Sequence, residues 1–387
     1  MRRSLALVFL LANTAACPAP GTPSGPSTEA DASVDARTDA ASAMDDLSSA
    51  LAPSLEQGLP AIAAAVFDGE GMRAVGAIGS RKLGDPSPVT SEDKWHLGSD
   101  TKAMTATLVA LYVDQGKLSF DDTIGALFAG ETIDPGYSAV TLEALLRHRG
   151  GAPGNIPTEI WSAMWKAGKA PDARKNAVLA MLGKPPAQTP GKFAYSNAGY
   201  MVVGAALERK FGGTWETMLA SMLFSPLGMQ SCGFGAPASP DRVDQPWGHS
   251  VSGGKISPVP PGPQADNPPS LGPAGTVHCN LRDWGAFLRL HLKGARGEAT
   301  MVSRASMARL HTPPPGGDYA AGWGVTSRGW TGGSALQHTG SNTMFVANAW
   351  IAPAKNLVFV VVSNRGDDLA ITQADAALGP LIETYAR

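Results

Sequence analysis

A serine and a lysine separated by two residues can act as nucleophile and base, because positions i and i+3 lie on one face of a helix. The chain contains this spacing three times, at Ser91/Lys94, Ser99/Lys102 and Ser252/Lys255. Only Ser99 opens a strong amphipathic helical pattern, in which Met104, Leu108 and Leu111 recur at helical spacing before Gly116. The N–H groups at the start of that helix would stabilise developing negative charge beside Ser99.

Lys102 needs an altered environment to serve as a base, because an ordinary lysine has a pKa of about 10.4. Burial or a nearby cation would lower that pKa. The segment Ser252-Gly253-Gly254-Lys255 is expected to be a loop that cannot hold its two side chains in register, and Ser91 lies in a turn-like stretch. The plainer alternative for Ser99 is a helix-capping serine beside a solvated lysine.

A second group of polar residues is Tyr195-Ser196-Asn197, which follows Pro190-Gly191 and precedes a helical pattern. A tyrosine close to Lys102 can share proton transfer, since a phenolate is a competent base when cations stabilise it. The Asn197 amide offers both a donor and an acceptor to a substrate. The alternative is a core tyrosine next to a residue that caps a helix.

A third group, His338-Thr339-Gly340-Ser341, ends a strand-like run. The absence of a side chain at Gly340 would let a substrate approach the strand edge. The backbone N–H groups of Ser341 and Ser99 would then be two candidate oxyanion donors. The alternative is a strand end followed by a turn.

The elements that must position these groups are strands at both ends of the domain and helices between them. Strands are predicted at Ala61–Phe67, Met72–Ile78, Ala335–His338, Met344–Ile351 and Asn356–Ser363. Helices are predicted at Thr141–Arg147, Arg174–Leu182, Asn197–Phe211, Thr214–Leu223, Leu281–Leu292, Ser303–Leu310 and Asp368–Tyr385. The pattern favours an α+β fold: an antiparallel sheet built from N- and C-terminal strands, flanked by helices, with a helix-rich middle region. A cleft between sheet and helices would hold the site.

The N-terminus is predicted to be a targeting segment. Residues 1–17 have the charged start, short apolar run and small residues of a secretory signal peptide. They resemble a bacterial lipoprotein signal, which would make Cys17 the lipidated residue; the alternative is a plain signal with an incidental cysteine. Residues 18–47 read as a disordered tether rich in Pro, Ala, Ser and Asp, and 48–387 as one folded domain. We therefore expect an exported, membrane-anchored lipoprotein that faces the bacterial periplasm or cell surface.

The composition and the absence of several motifs argue against some classes of function. The net charge of −2 argues against a dedicated nucleic-acid binder. No CxxC, HExxH or GxSxG motif is present, so we expect neither a metal, a cofactor nor the nucleophile elbow of α/β-hydrolases. The expected partners are a small-molecule or peptide substrate and a membrane. Cys232 and Cys279 could pair in an oxidising compartment, but spacing alone leaves this open.

The three groups in their order, Leu97-Gly98-Ser99-Asp100-Thr101-Lys102, Tyr195-Ser196-Asn197 and His338-Thr339-Gly340, resemble the serine β-lactamase and penicillin-binding hydrolase family. The resemblance extends over about 48–387. It is strongest to class C β-lactamases and to the related D-alanyl-D-alanine carboxypeptidases, D-aminopeptidases and family VIII esterases.

The resemblance implies a mechanism. Ser99 would attack a carbonyl and form an acyl-enzyme, while Lys102 and Tyr195 move protons and a water releases the acyl group. Asn197 would contact the substrate amide. The strand residues His338 and Thr339 would help to place a substrate carboxylate.

Further positions bear on substrate choice. Asn155 stands where class C enzymes often have a glutamine that touches the substrate. His338 replaces the lysine typical of class C β-lactamases, and a neutral histidine removes a fixed positive charge. His148-Arg149-Gly150-Gly151 replaces the usual His-Thr-Ser-Gly, and Ser341-Asn342 lacks the family's second glycine.

Together these features predict a serine hydrolase that acts through an acyl-enzyme on a D-amino-acid peptide, amide or small ester. The first alternative is a class C-type β-lactamase. The second is a catalytically silent lipoprotein that binds a cell-wall fragment.

Overall fold

A computed structural model describes residues 44–387. The predicted signal peptide, the predicted lipidation site Cys17 and most of the predicted tether lie outside the described residues. The last tether residues belong instead to the folded unit. Asp45–Asp46 forms a short strand, and Leu47 is buried and donates its N–H to Val75 O at 3.2 Å. Within 44–387, every helix is too short or too polar to cross a bilayer.

The main sheet has seven strands in the order β1-β3-β2-β12-β11-β10-β9. All neighbours are antiparallel except β1 and β3. The smaller sheets are β4-β8-β5 and the hairpin β6-β7. The strands are β1 Asp45–Asp46, β2 Ala61–Asp68, β3 Met72–Gly79, β4 Lys94–His96, β5 Gly233–Phe234, β6 His249–Ser252, β7 Lys255–Pro258, β8 Val277–Asn280, β9 Gly324–Ser327, β10 Ser334–Ser341, β11 Val346–Ala352 and β12 Leu357–Ser363.

Helices fill the middle of the described chain and flank the sheet. They are α1 Ser48–Glu56, α2 Thr101–Asp114, α3 Ile124–Leu127, α4 Leu142–Leu146, α5 Thr158–Ala167, α6 Ala173–Leu182, α7 Asn197–Phe211, α8 Trp215–Leu219, α9 Gly272–Gly275, α10 Leu281–Ala295, α11 Arg304–His311, α12 Asp368–Ala376 and α13 Leu378–Tyr385. A π-helical turn, Ala220–Phe224, continues α8. The expected α+β architecture is confirmed: an N-terminal hairpin joins the C-terminal strands in one sheet.

The two faces of the main sheet are covered by different helices. On one face, α1, α12 and α13 pack over a core that includes Ile62, Val361 and Leu381. On the other face, α10 packs against β2, β11 and β12, and a larger core there continues through α2 and α7. The central strands are therefore buried on both faces, which explains their almost continuous apolar sequences.

The nucleophile-bearing segment enters from the small sheet. Strand β4 pairs with β8, and Leu97 continues this pairing by donating its N–H to Val277 O at 2.8 Å. Cys232 and Cys279 form a disulfide, which settles the pairing that the sequence left open. The disulfide ties β8 to the segment just before β5, and Cys279 lies opposite Trp95 of β4, the strand that leads into the Ser99 turn.

Two local predictions are wrong. Helix α2 is not amphipathic, because its polar residues Lys102, Thr105 and Thr107 are as buried as its apolar ones. It passes through the middle of the protein, with a 3₁₀ turn, Gly98–Asp100, before it. Ser252 and Lys255 are also in register after all, as a directly opposed pair at the tip of the β6-β7 hairpin.

Two helical glycines provide a stability test of the packing. A methyl group on Gly285 of α10 would overlap the buried ring of Phe67, so we expect Gly285→Ala to destabilise the fold by about 1–3 kcal/mol. A methyl group on Gly199 of α7 would make only ordinary contacts of 3.5 Å or more. Gly199→Ala should therefore be neutral or stabilise by up to about 1 kcal/mol. Urea denaturation of both variants measures this; equal free energies of unfolding would contradict the packing.

Candidate active site

The turn that carries Ser99 lies against the end of β10. Gly98 has a φ of +50°, and a Cβ there would lie 2.5 Å from the backbone N of Ser341. A glycine is required because any side chain would be strained and would collide with that strand. The close approach brings the backbone of Ser341 next to Ser99, where the sequence predicted two oxyanion donors.

Lys102 is fully buried in the first turn of α2, and its Nζ has three oxygen partners. The Ser99 Oγ lies at 2.9 Å, Asn197 Oδ1 at 2.7 Å and the backbone carbonyl of Ala274 at 2.7 Å. Helix α2 therefore supplies the amine, α7 the amide and α9 the carbonyl. The structure thus brings Asn197 next to Ser99 and Lys102, although Asn197 lies 95 residues after Lys102 in the sequence.

Burial lowers the pKa of Lys102 to about 7, although the nearby Asp100 acts in the opposite direction. A neutral amine has two N–H bonds and one lone pair. The amide oxygen of Asn197 and the carbonyl of Ala274 can only accept, so they take both N–H bonds. The lone pair then points at the third partner, the Ser99 hydroxyl, which is the arrangement of a general base.

Helix α7 begins where the sequence predicted, and its first turn fixes Asn197. Ser196 is the N-cap: its Oγ accepts the N–H of Gly199 at 3.0 Å and donates to Pro153 O at 2.7 Å. The cap leaves Asn197 at the first helical position with its Oδ1 on Lys102. Its Nδ2 donor is then the part of the amide that can serve a substrate.

Tyr195 forms one side of the site. Its ring lies 4.9 Å from Lys102 Nζ, and the side chain is 39% exposed. Desolvation of its hydroxyl end raises the pKa of Tyr195 to about 12, and a contact with the Ser99 hydroxyl acts in the opposite direction. Tyr195 is therefore protonated at neutral pH and can donate a hydrogen bond or a proton.

His148 lies beneath the Tyr195 ring, with ring centroids 4.2 Å apart. Its backbone is left-handed, with a φ of +57°, and its Nδ1 accepts the N–H of Ser196 at 3.0 Å. Burial lowers the pKa of His148 to about 2, so the ring is neutral. The first residue of the altered 148–151 segment thus holds the tyrosine and the α7 cap in place.

His338 faces the helices from β10 and is 6% exposed. Its Nδ1 lies 2.7 Å from Gly322 O, and because a carbonyl only accepts, this nitrogen carries the proton. Burial, aided by the charge on Lys102, lowers the pKa of His338 to about 4. His338 therefore presents a neutral acceptor nitrogen, not a cation, to the site.

The other predicted residues are placed more peripherally. Thr339 points to the opposite sheet face, where its hydroxyl accepts from Gln337 Nε2 at 2.6 Å. Gly340 lies directly against Leu97 O and the Ser99 turn, with no room for a side chain. Asn155 is exposed on the loop next to Gly154, where an added Cβ would lie 3.1 Å from Tyr195 O. The roles predicted for Thr339 and Asn155 stay predictions.

Sequence reasoning missed two backbone groups and one side chain of the site. The carbonyls of Ala274 and Gly322 orient Lys102 and His338, and backbone acceptors leave no signal in residue type. The side chain is Tyr319, whose ring centroid lies 4.7 Å from that of His148 and 6.1 Å from that of His338.

The sequence model of the family described as Beta-lactamase matches residues 34–381. The chain belongs to this family. As a member of the beta-lactamase family it is a hydrolase, and the geometry of Ser99 and Lys102 is that of a serine enzyme.

Individual relatives agree with the family assignment. The chain is 28% identical to penicillin-binding protein 4 of Amycolatopsis lactamdurans over 330 residues, which cover 80% of this chain and 82% of that protein. The octameric penicillin-binding protein homologue of Pyrococcus abyssi has the same fold, with a TM-score of 0.71 and 22% identity over 87% of this chain and 76% of that one. A D-stereospecific amidohydrolase from Streptomyces sp. has a TM-score of 0.67 and 20% identity over 84% and 96%.

The hydrogen bond between Lys102 and Asn197 yields a pH test. Asn197→Asp places a carboxylate beside Lys102 Nζ, which stabilises the ammonium and should raise its pKa by about 1–3 units. Because the neutral amine is the base, the rise of kcat/KM with pH should move upward from about 7 by the same amount.

The matched control is Asn176→Asp on the exposed face of α6, which adds the same charge away from the site. The pH profile of hydrolysis of a neutral ester, recorded for both variants, measures the shift. An unmoved profile in Asn197→Asp would contradict the assignment of Lys102 as the titrating base.

Proposed function

We propose that the protein hydrolyses amides or small esters of D-amino-acid type that lack a free carboxylate, through an acyl-enzyme on Ser99. The observation that carries this proposal is the saturation of Lys102 Nζ by two fixed acceptors, which directs its lone pair at Ser99 Oγ. Names among the relatives support the substrate class, since they include a D-stereospecific amidohydrolase and a D-amino acid amidase from Ochrobactrum anthropi.

Acylation follows from the positions of the groups. Lys102 takes the proton of the Ser99 hydroxyl while Oγ forms a bond to the substrate carbonyl carbon. The oxyanion that results is stabilised by the N–H groups of Ser99 and Ser341. When the bond to the leaving group breaks, Tyr195 protonates that group and recovers its proton from the Lys102 ammonium.

Deacylation repeats the sequence with water. A water molecule loses its proton to neutral Lys102 as its oxygen attacks the acyl carbon. The second tetrahedral intermediate collapses, the bond to Ser99 Oγ breaks, and Oγ regains its proton from the Lys102 ammonium. The product acid leaves, and the enzyme returns to its starting protonation state.

The charge of the site argues for a substrate without a free carboxylate. Members of the class C type carry a lysine where this chain has His338, and a fixed cation there favours a substrate carboxylate. His338 is neutral at pH 7 and presents an acceptor nitrogen, so it offers a carboxylate no attraction. β-Lactams and peptide C-termini carry a carboxylate, so they lose the attraction that a lysine at this position would provide. Amides and esters without a free carboxylate lose no such attraction.

The first test is the mass of the purified folded domain after mixing with a p-nitrophenyl ester or a D-amino-acid p-nitroanilide. We expect an acyl adduct on the wild type and none on Ser99→Ala, with turnover reduced by a factor of about 10³ or more. Ser91→Ala, which alters another Ser-x-x-Lys pair, is the control and should keep full activity.

An adduct that persists in Ser99→Ala would overturn the proposal. A wild type that forms no adduct with ester, amide or penicillin would favour a silent binding protein instead. Rapid hydrolysis of penicillin in preference to the neutral substrates would favour a β-lactamase.

The second test restores the missing charge. In His338→Lys, the ratio of kcat/KM for nitrocefin, which bears a carboxylate, to kcat/KM for a neutral ester should rise about tenfold or more, equivalent to about 1.4 kcal/mol. Using the ratio removes any effect of the new cation on Lys102, because both substrates need the same base. His338→Gln is the uncharged control and should leave the ratio within about twofold of wild type. An unchanged ratio in His338→Lys would contradict a neutral substrate site.

A further inference from the structure

A buried histidine lies directly behind the nucleophile turn. His96 ends β4, is 0% exposed, and accepts the backbone N–H of Gly98 on its Nδ1 at 3.1 Å. A ring nitrogen that accepts an N–H carries no proton, so in the neutral ring the proton is on Nε2. The Nε2 lies 2.7 Å from Asp266 Oδ1, so the carboxylate faces the nitrogen that carries the proton.

The residue that His96 holds is the one that sets the direction of Ser99. Gly98 is left-handed, and its backbone touches the backbone of Ser341. Glycine is the most flexible residue, so the turn needs a fixed contact on its N–H to keep one conformation. A small displacement there would move Ser99 Oγ relative to both Lys102 Nζ and the Ser341 N–H, and such displacements slow catalysis strongly.

Asp266 connects the same turn to the other half of the site. It is 8% exposed, and its Oδ1 also accepts the N–H of Asn267 at 2.6 Å. The side chain of Asn267 donates in turn to Gly275 O at 2.9 Å, next to the Ala274 carbonyl that binds Lys102. One short segment therefore supports the nucleophile through His96 and supplies an acceptor to the base.

We propose that Asp266 and His96 form a positioning pair that locks the Gly98 turn in register with Lys102. The carboxylate fixes the tautomer and rotation of the imidazole, and the imidazole fixes the N–H of Gly98. Phe345, stacked on the ring with centroids 6.0 Å apart, limits its movement further. Neither residue touches substrate; both act through Ser99, and in this respect the inference rests on the proposed function.

The chain offers a matched control in His249. It is also 0% exposed, accepts a backbone N–H from Leu83 on Nε2 at 3.0 Å, and places Nδ1 2.7 Å from Asn364 O. It is thus equally buried and also accepts a backbone N–H on one ring nitrogen while the other lies 2.7 Å from an oxygen, but its partners do not include the Ser99 turn. A purely structural role would make substitutions of His96 and His249 equivalent.

The variants are Asp266→Ala, Asp266→Asn, His96→Gln and His249→Gln. The main readout is the rate at which a fluorophosphonate, a reagent that labels active serines, reacts with Ser99; the second is kcat and KM for a neutral ester. We expect Asp266→Ala and His96→Gln to lower labelling rate and kcat by about 10- to 100-fold with KM changed less than threefold. Asp266→Asn keeps an acceptor for Nε2 and should recover most of the rate. His249→Gln should stay within threefold of wild type, whatever its change in Tm.

A third readout does not depend on activity. Hydrogen exchange of the Gly98 backbone amide should accelerate at least tenfold in Asp266→Ala and His96→Gln, and not in His249→Gln. Labelling rates that follow Tm across all four variants, or an unchanged Gly98 exchange rate, would overturn the positioning role. A wild type that is labelled at Ser99 but hydrolyses neither esters nor amides would refute the proposed function alone.

Discussion

The structure depends on the environment of one buried amine. Lys102 can be placed in the core only if its charge is removed or its N–H bonds are satisfied, because a buried, unpaired ammonium is costly. The chain meets both conditions: burial lowers the pKa of Lys102 to about 7, and Asn197 and Ala274 accept its two N–H bonds. The same contacts that make its burial tolerable leave its lone pair directed at Ser99. Stability and reactivity at this position have one cause.

The fold can be understood as the arrangement that supplies those contacts. Helix α2 runs through the core with polar residues buried, so that Lys102 in its first turn lies between the edge of the sheet and the helical region. Helix α7 and the α9 segment approach it from the other side, each with one acceptor. Strand β10 completes the site with Ser341 and a neutral His338. The two histidines near the base, His148 and His338, are both uncharged at neutral pH. Neither therefore repels the protonated form of Lys102.

The sequence was sufficient for features with a strong local pattern. Helix α7 begins at the predicted residue because Ser196 caps it, and it ends at the predicted residue before Gly212, whose φ is +73°. The hairpin of β2 and β3 follows from two apolar runs of strand length and the turn between them. Ser99, Lys102 and Asn197 are recognisable because their side chains do the chemistry. The acceptors at Ala274 and Gly322 were not, since a carbonyl is common to every residue. The burial of α2 on all sides was likewise invisible, because threonines and a lysine read as a solvent face until tertiary contacts surround them.

The most direct test is the pKa of the Lys102 side chain itself, measured by NMR of the Nζ resonance in protein labelled at lysine. Lys102→Met identifies the signal, and the Ser99→Ala variant shows whether the titration persists without the nucleophile. We expect Lys102 to titrate near 7, well separated from the exposed lysines at about 10.4. A Lys102 that titrates near 10.4 would contradict it, because a permanently protonated amine has no lone pair to accept the proton of Ser99.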